Sequence, residues 1–349
     1  MKEPGQPVGA RPSESPTVSV LLPVRDGAAH VAEAIQSILD QTLDDLELLV
    51  VDDGSRDGTS KILQACADGD ERVRILSHTR SLGIIPSLEH ARREARGPYL
   101  ARMDADDRSL PGRLQAQMQL MESDPAMALC GVGIRYFPEA LVRDGARRYA
   151  RWLNSSSGPD QVSRERFVEC PLAHPTFFMR ADRVDAVGGY RDMGWPEDYD
   201  LLLRLHESGG RLGQVPETLF QWREGEKRLS RTHPRYSPGA FRACKVHFLR
   251  RGPLLGSTPA LIWGAGPTGK AFGRALRAAG TPLAAYVDLD PRKIGQAIHG
   301  APVISPDDLP GPGSCFALGA VGQAGARAEI RLALVERGWS EERHFLMVA

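Results

Sequence analysis

Residues 46–54 read LELLVVDDG, and that stretch fixes the kind of sheet the chain can build. Its apolar residues run on without the strict alternation of a half-solvated strand, so both faces must be covered, as in a parallel sheet with helices on either side. Two aspartates and a glycine then close the run. In open parallel sheets ligands bind beyond the carboxyl ends of the strands, which is where Asp52 and Asp53 fall.

Working outward, VSVLLPV (18–24) is a second such run. In AAHVAEAIQSILDQ (28–41) the apolar residues Val31, Ala34, Ile35, Ile38 and Leu39 recur at helical spacing. SRDGTSKILQAC (55–66) predicts a helix with Thr59 as its cap. VRILSH (73–78) and YLARMD (99–104) complete a β-α-β-α-β-α-β series. YLARMDADD (99–107) ends in three carboxylates, Asp104, Asp106 and Asp107, which repel one another unless a cation sits among them. Asp-x-Asp after a buried strand suits a hard divalent ion with oxygen ligands, Mn²⁺ or Mg²⁺.

Beyond residue 125 the alternation loosens. MALCGVGIRYF (127–137) reads as a strand, AHPTFFMRADRVDAVGGY (173–190) as a strand and short helix, and EDYDLLLRLHESG (197–209) as an amphipathic helix closed by Gly209. Residues 236–257 read as a helical linker. A fresh β-α-β unit opens at 258, with GAGPTG (264–269) after a strand and Asp288 at the end of the next. Gly264, Gly266, Gly269 and Asp288 have the anatomy of a nucleotide or dinucleotide fingerprint. No hydride-transfer partner such as Tyr-x-x-x-Lys follows, which favours a binding or assembly module.

The chain has 349 residues, and 44 basic residues balance 44 acidic ones, so no global field recruits nucleic acid. Five widely spaced cysteines without a Cys-x-x-Cys pair argue against a disulfide framework or zinc ribbon and for a reducing cytosol. Residues 1–16, rich in Pro, Gly and Ser, read as a disordered lead-in. No run of 18 apolar residues occurs, which leaves room only for peripheral contact with the inner face of a membrane.

Over residues 17–235 the chain resembles glycosyltransferase family 2, the inverting family with the GT-A nucleotide-sugar fold. The likeness rests on VSVLLPVRDGAAHVAEAIQSILDQT, LELLVVDDGSRDGT, ARGPYLARMDADD, HPTFFMRADRVDAVGGYR and EDYDLLLRL, in the family's order. It implies transfer of a sugar from a nucleoside diphosphate, expected to be UDP, to a hydroxyl acceptor in bacterial polysaccharide or glycoconjugate synthesis. It also implies that Pro23, Arg25 and Asp53 meet the nucleobase, that Asp104 faces ribose or sugar, and that Asp106 holds the metal. Asp198 takes the catalytic-base position, with Glu197, His174 and Trp195 on the acceptor side and Asp200 serving its helix. Two departures stand out: Ser81 occupies a usual Asn position, and in a downstream Arg-x-His Arg223 fits while Gly225 occupies the His position. His233 is then the substitute metal ligand, and Arg228 or Arg231 the cation for the diphosphate. Residues 258–349 resemble the small Rossmann-like domains of polysaccharide-biosynthesis and sugar acyltransferase proteins. Two other functions stay open: an NAD(P)-dependent nucleotide-sugar oxidoreductase or epimerase using the C-terminal unit, and a non-catalytic nucleotide-sugar sensor.

Overall fold

The computed structural model describes residues 15–156, 158–225 and 228–349. Most of the lead-in expected over 1–16 therefore lies outside the described residues.

The first β-α alternation forms as the sequence pattern requires: β1 (Val18–Val24), α1 (Val31–Leu39), β2 (Leu46–Asp52), α2 (Thr59–Gly69), β3 (Val73–Ser77), α3 (Ile84–Glu94) and β4 (Tyr99–Arg102). All seven residues of β2 are buried, including Glu47 at the amino end of the sheet. That carboxylate accepts from Ser19 (2.6 Å), Arg74 (2.6 Å) and Arg96 (2.9 Å), so a buried charge is paired and fully hydrogen-bonded. Thr59 is not the cap expected of it. Gly58 holds that position, and Thr59 is buried in the first turn, accepting from the Gly27 amide.

Next come β5 (Arg108–Ser109), α4 (Arg113–Ser123), β6 (Met127–Phe137), α5 (Asp144–Ser155), α6 (Pro159–Glu165), β7 (Phe178–Arg180), α7 (Ala181–Ala186), α8 (Glu197–Glu207) and β8 (Arg211–Arg223). The eight strands share one sheet in the order β3-β2-β1-β4-β7-β6-β8-β5, parallel except around β7 and at the β5 edge. Helix α8 is buried on more than one face. Tyr199 through Leu205 are all buried, because the helix lies between this sheet and the rest of the molecule.

After α9 (Leu229–Thr232), helix α10 (Pro238–Arg251) leads to β9 (Ala260–Trp263), α11 (Pro267–Ala278), β10 (Leu283–Val287), β11 (Ala297–Ile298), β12 (Ala301–Ile304), β13 (Phe316–Gly319), α12 (Ala326–Glu336) and β14 (Phe345–Met347). These strands form a second sheet ordered β11-β12-β10-β9-β13-β14, whose direction of winding reverses at β9. Helix α10 is no free linker. Cys244, Phe248 and Leu249 join a core cluster that also holds Leu21 and Tyr199 from one side and Ile262 and Phe316 from the other. The Lys245 ammonium is buried and donates to the carbonyls of Val168 (2.7 Å) and Val348 (3.1 Å), and burial lowers its pKa to about 8.

In the turn before α11, Gly264 has φ +119°, and a Cβ on Gly269 would stand 1.8 Å from the Gly264 carbonyl oxygen. Gly269→Ala is expected to force this turn apart and cost about 1–3 kcal/mol or more, read as a lower thermal midpoint. Among the described residues no helix is long and apolar enough to cross a membrane.

Candidate active site

The strand ends and the β6–α5, β8–α9 and α8 segments enclose a cleft of 710 Å³. Asp104, Asp106, His174, Asp198 and Arg228 all line it. The acidic loop is organised by Arg102, which the sequence reading passed over, and by Arg223, which it placed only as the arginine of the family's downstream Arg-x-His. Arg102, fully buried at the end of β4, is ion-paired with Asp104. Arg223, at the end of β8, donates its backbone N–H to Asp107 (2.6 Å) and its Nε to the Asp106 carbonyl (2.6 Å), and pairs with Glu33 (2.6 Å). Its guanidinium lies over the Phe137 ring.

Carboxylate oxygens of Asp104, Asp106 and Asp107 lie within 4.8 Å of one another. Burial, then the Asp104 charge, raises the carboxyl pKa of Asp106 and, more strongly, that of Asp107. One oxygen of Asp107 is buried with no hydrogen-bond partner. An orphaned buried acceptor beside two further carboxylates fits a hard cation, which would relieve the repulsion and satisfy the oxygen. His233 does not join this group. It is exposed, and its Nδ1 accepts from the Arg235 amide (3.2 Å), closing the short turn after α9. Of the two arginines expected to meet the diphosphate, Arg231 is tied to Glu224 (2.8 Å). Arg228 lies over the Trp222 and Tyr136 rings, with its charge acting on Asp106 and Asp107.

Opposite this loop, α8 presents Asp198. Pro196 caps the helix in extended backbone, and Tyr199 anchors its first turn by donating to the Arg166 carbonyl (2.6 Å). Burial first, then the Glu197 charge, pushes the Asp198 carboxyl up to about 7. Glu197 itself is fully buried under the cleft, where both its oxygens accept from the Tyr236 hydroxyl (2.8 and 2.9 Å). It therefore does not meet an acceptor directly, and orders Tyr236 instead. His174 is buried with Nε2 against the Tyr190 hydroxyl (2.9 Å), and burial holds its pKa well below the usual imidazole range. Trp195 is not in the cleft. Its indole N–H donates to Asp200 (2.9 Å), and its ring packs on His247.

On the nucleotide side, Pro23 is half-buried in β1 beside Val51, and exposed Arg25 donates to Ser81 (3.0 Å). Asp53 is not free to receive a base. Its two oxygens already engage His78 (2.8 Å), the Ser81 hydroxyl (2.7 Å) and the amides of Leu82 (2.8 Å) and Gly83 (2.9 Å), which fills the lone pairs of a carboxylate. Ser81 thus serves Asp53 rather than standing in for a missing Asn. In the second sheet, Gly264, Gly266 and Asp288 border a cavity of 820 Å³, while Gly269 packs against the turn. Asp288 accepts from the Ala265 amide (2.9 Å) and Lys293 (2.9 Å) on one oxygen and from the Asp290 amide (2.9 Å) on the other, which leaves that second oxygen able to accept one more hydrogen bond.

Known proteins resemble this chain in sequence and in fold. The model of glycosyl transferase family 2 matches residues 19–188. EpsE of Bacillus subtilis (strain 168), whose glycosyltransferase name is provisional, is 33% identical over 229 residues, covering 64% of this chain and 79% of EpsE. The amylovoran biosynthesis glycosyltransferase AmsE of Erwinia amylovora is 28% identical over 218 residues, covering 62% of this chain and 78% of AmsE. Among solved structures, the mannosyltransferase PcManGT from Pyrobaculum calidifontis, in complex with GDP-Man and Mn²⁺, superposes with a TM-score of 0.51 at 19% identity, covering 78% of this chain and 72% of that one. That last likeness is one of fold. The curled, mainly parallel first sheet, the acidic loop at its carboxyl edge and these relatives together identify the chain as a member of glycosyl transferase family 2, a glycosyltransferase.

Proposed function

We propose that the chain transfers a sugar from a nucleoside-diphosphate sugar to an acceptor hydroxyl with inversion, within 17–235, as a step in bacterial polysaccharide or glycoconjugate synthesis. The observation that carries this reading is that Asp198, Arg228 and the acidic pair Asp104 and Asp106 face one cleft. In a direct displacement the acceptor oxygen bonds to the anomeric carbon as the bond from that carbon to the diphosphate oxygen breaks. Asp198 takes the acceptor proton, and a pKa near 7 suits a base working at neutral pH. Arg228, held in place by two aromatic faces, meets the charge that develops on the departing diphosphate. Asp104 is oriented by Arg102 toward the sugar or ribose. Asp106 and Asp107 are the groups that would hold Mn²⁺ or Mg²⁺, which when bound supplies Lewis-acid neutralisation of the diphosphate. AmsE, by its name a biosynthetic enzyme of amylovoran, supports the polysaccharide setting.

A UDP-linked donor follows from the family resemblance, whereas PcManGT was solved with GDP-Man. The test is therefore a panel of UDP- and GDP-sugars, read as release of nucleoside diphosphate with Mn²⁺, Mg²⁺ or EDTA. Turnover is expected with the metal present, and EDTA or Asp106→Ala is expected to lower it about 100-fold or more. Turnover unaffected by EDTA would remove the metal from the proposal. Absence of turnover across the panel would overturn the donor class. An oxidoreductase working through the second sheet is disfavoured, because no hydride-transfer partner such as Tyr-x-x-x-Lys follows the glycine turn.

A further inference from the structure

The cleft does not end at Asp198. Tyr149, Glu169, Tyr236 and Phe241 line both it and an adjoining cavity of 790 Å³ between the two sheets. Four cationic side chains from three helices converge on that second cavity: Arg148 of α5, Arg242 and Lys245 of α10, and Arg327 of α12. Among the described residues Glu169 is the one acidic side chain lining it, and Ala349, the last residue, lines it as well. Arg242 and Lys245 are three residues apart on one helix face, where like charges repel; the Glu169 charge acts on Lys245, whose ammonium also donates to the Val168 and Val348 carbonyls. Among the described residues neither Arg148 nor Arg242 has a carboxylate within ion-pair distance, and Arg327 reaches only the edge of Glu165 at 4.0 Å. Aromatic rings complete the wall, with Tyr149 and Trp152 5.7 Å apart and Phe272 beneath the Lys245 ammonium. Amphipathic rings suit the faces and hydroxyls of a sugar, and paired guanidinium groups suit a carboxylate or phosphate.

We infer that the acceptor site continues into this cavity and takes an acidic saccharide, its anionic group lying among Arg148, Arg242, Lys245 and Arg327. The inference rests on the transferase reading for its purpose, and it gives the second sheet a part in substrate choice: α12 supplies one of the cations and α11 one of the walls.

The experiment is calorimetric titration of the full chain with methyl β-D-glucuronide, glucose 1-phosphate, neutral methyl β-D-glucoside and inorganic phosphate. Binding of at least one acidic sugar about 10-fold tighter than the neutral one is expected, since each charge-assisted contact is worth about a factor of ten. The double variant Arg148→Gln/Arg242→Gln is expected to lose that preference, and Arg242→Lys to keep most of it. Preference for the glucuronide alone supports the proposal with a carboxylate as the anion, and preference for the sugar phosphate alone supports it with a phosphate. Equal binding of all three sugars overturns it. So does inorganic phosphate matching glucose 1-phosphate, or loss of binding in Arg228→Gln with the double variant unaffected. Binding needs no turnover, so these outcomes are independent of wild-type donor cleavage, which separately tests the transferase reading.

Discussion

Asp198→Asn is expected to lower kcat about 1000-fold while leaving donor affinity near that of the wild type. A positioned general base contributes about 10²–10⁴-fold, and the amide keeps the shape and the hydrogen bond from the Tyr199 amide while losing the ability to take a proton. Steady-state transfer together with calorimetric donor binding reads the two effects apart. Transfer at the wild-type rate would remove Asp198 from the base role, and transfer absent from both forms would favour a sensor. The pH dependence has a definite sign. A base must be ionised to act, so the rate rises with pH through about 7 in the wild type, and this limb disappears in the variant. Stability moves the other way. A carboxyl whose folded pKa exceeds its unfolded value binds its proton more tightly when folded, so the wild type loses stability as pH rises from about 4 to about 7. At pH 8 Asp198→Asn is therefore expected to melt above the wild type, by a few degrees.

Asp200→Ala is expected to cost about 3–5 kcal/mol of stability, the range for breaking a buried ion pair from one side. Asp200 is fully buried and gathers Arg191 (2.8 and 3.0 Å), Arg204 (2.7 Å) and the Trp195 indole (2.9 Å). Arg204 continues to the Val187 and Gly189 carbonyls, so the loss would free the whole loop that leads into α8. A reduced urea midpoint at unchanged slope would register it. These bonds hold the Asp200 carboxyl below its usual range, although burial opposes them. Its contribution is thus complete above about pH 4 and lost as pH falls through the lowered value.

The first half of the large sheet was legible because its strands are apolar throughout and its helices keep a 3.6-residue period. The Asp104–Asp107 loop stood out as a cluster of carboxylates after a buried strand, and Asp198 through the likeness of EDYDLLLRL to the family's motif; the structure brings Asp104, Asp106 and Asp198 to one cleft. What escaped was the identity of the partners. Arg102 stands inside the quoted YLARMDADD, and an arginine within an apolar strand beside three acids was the available signal that a side chain meets one of those charges. Arg223 was legible only as the arginine of the family's downstream motif, and nothing tied it to Asp107, 116 residues earlier; Tyr236 had no signal, reaching Glu197 from 39 residues away in sequence. Trp195 and Asp53 misled for the opposite reason: residue type shows what a side chain can bind, and packing decides what has already claimed it. In Asp53 four local donors had done so.

The Lys245 ammonium, bonded at once to Val168 before α8 and to Val348 at the far end of the chain, also bears on how such enzymes can be recombined. A segment cut off after residue 257 would carry away a buried cation stripped of one of its two carbonyls, and a bare apolar flank on α10. Swapping residues 258–349 for those of a relative would then succeed only where the incoming segment restores that carbonyl. A boundary ahead of residue 238 moves the same demand to the other side, because α10 also packs on Leu21 and Tyr199 and Lys245 also needs the Val168 carbonyl.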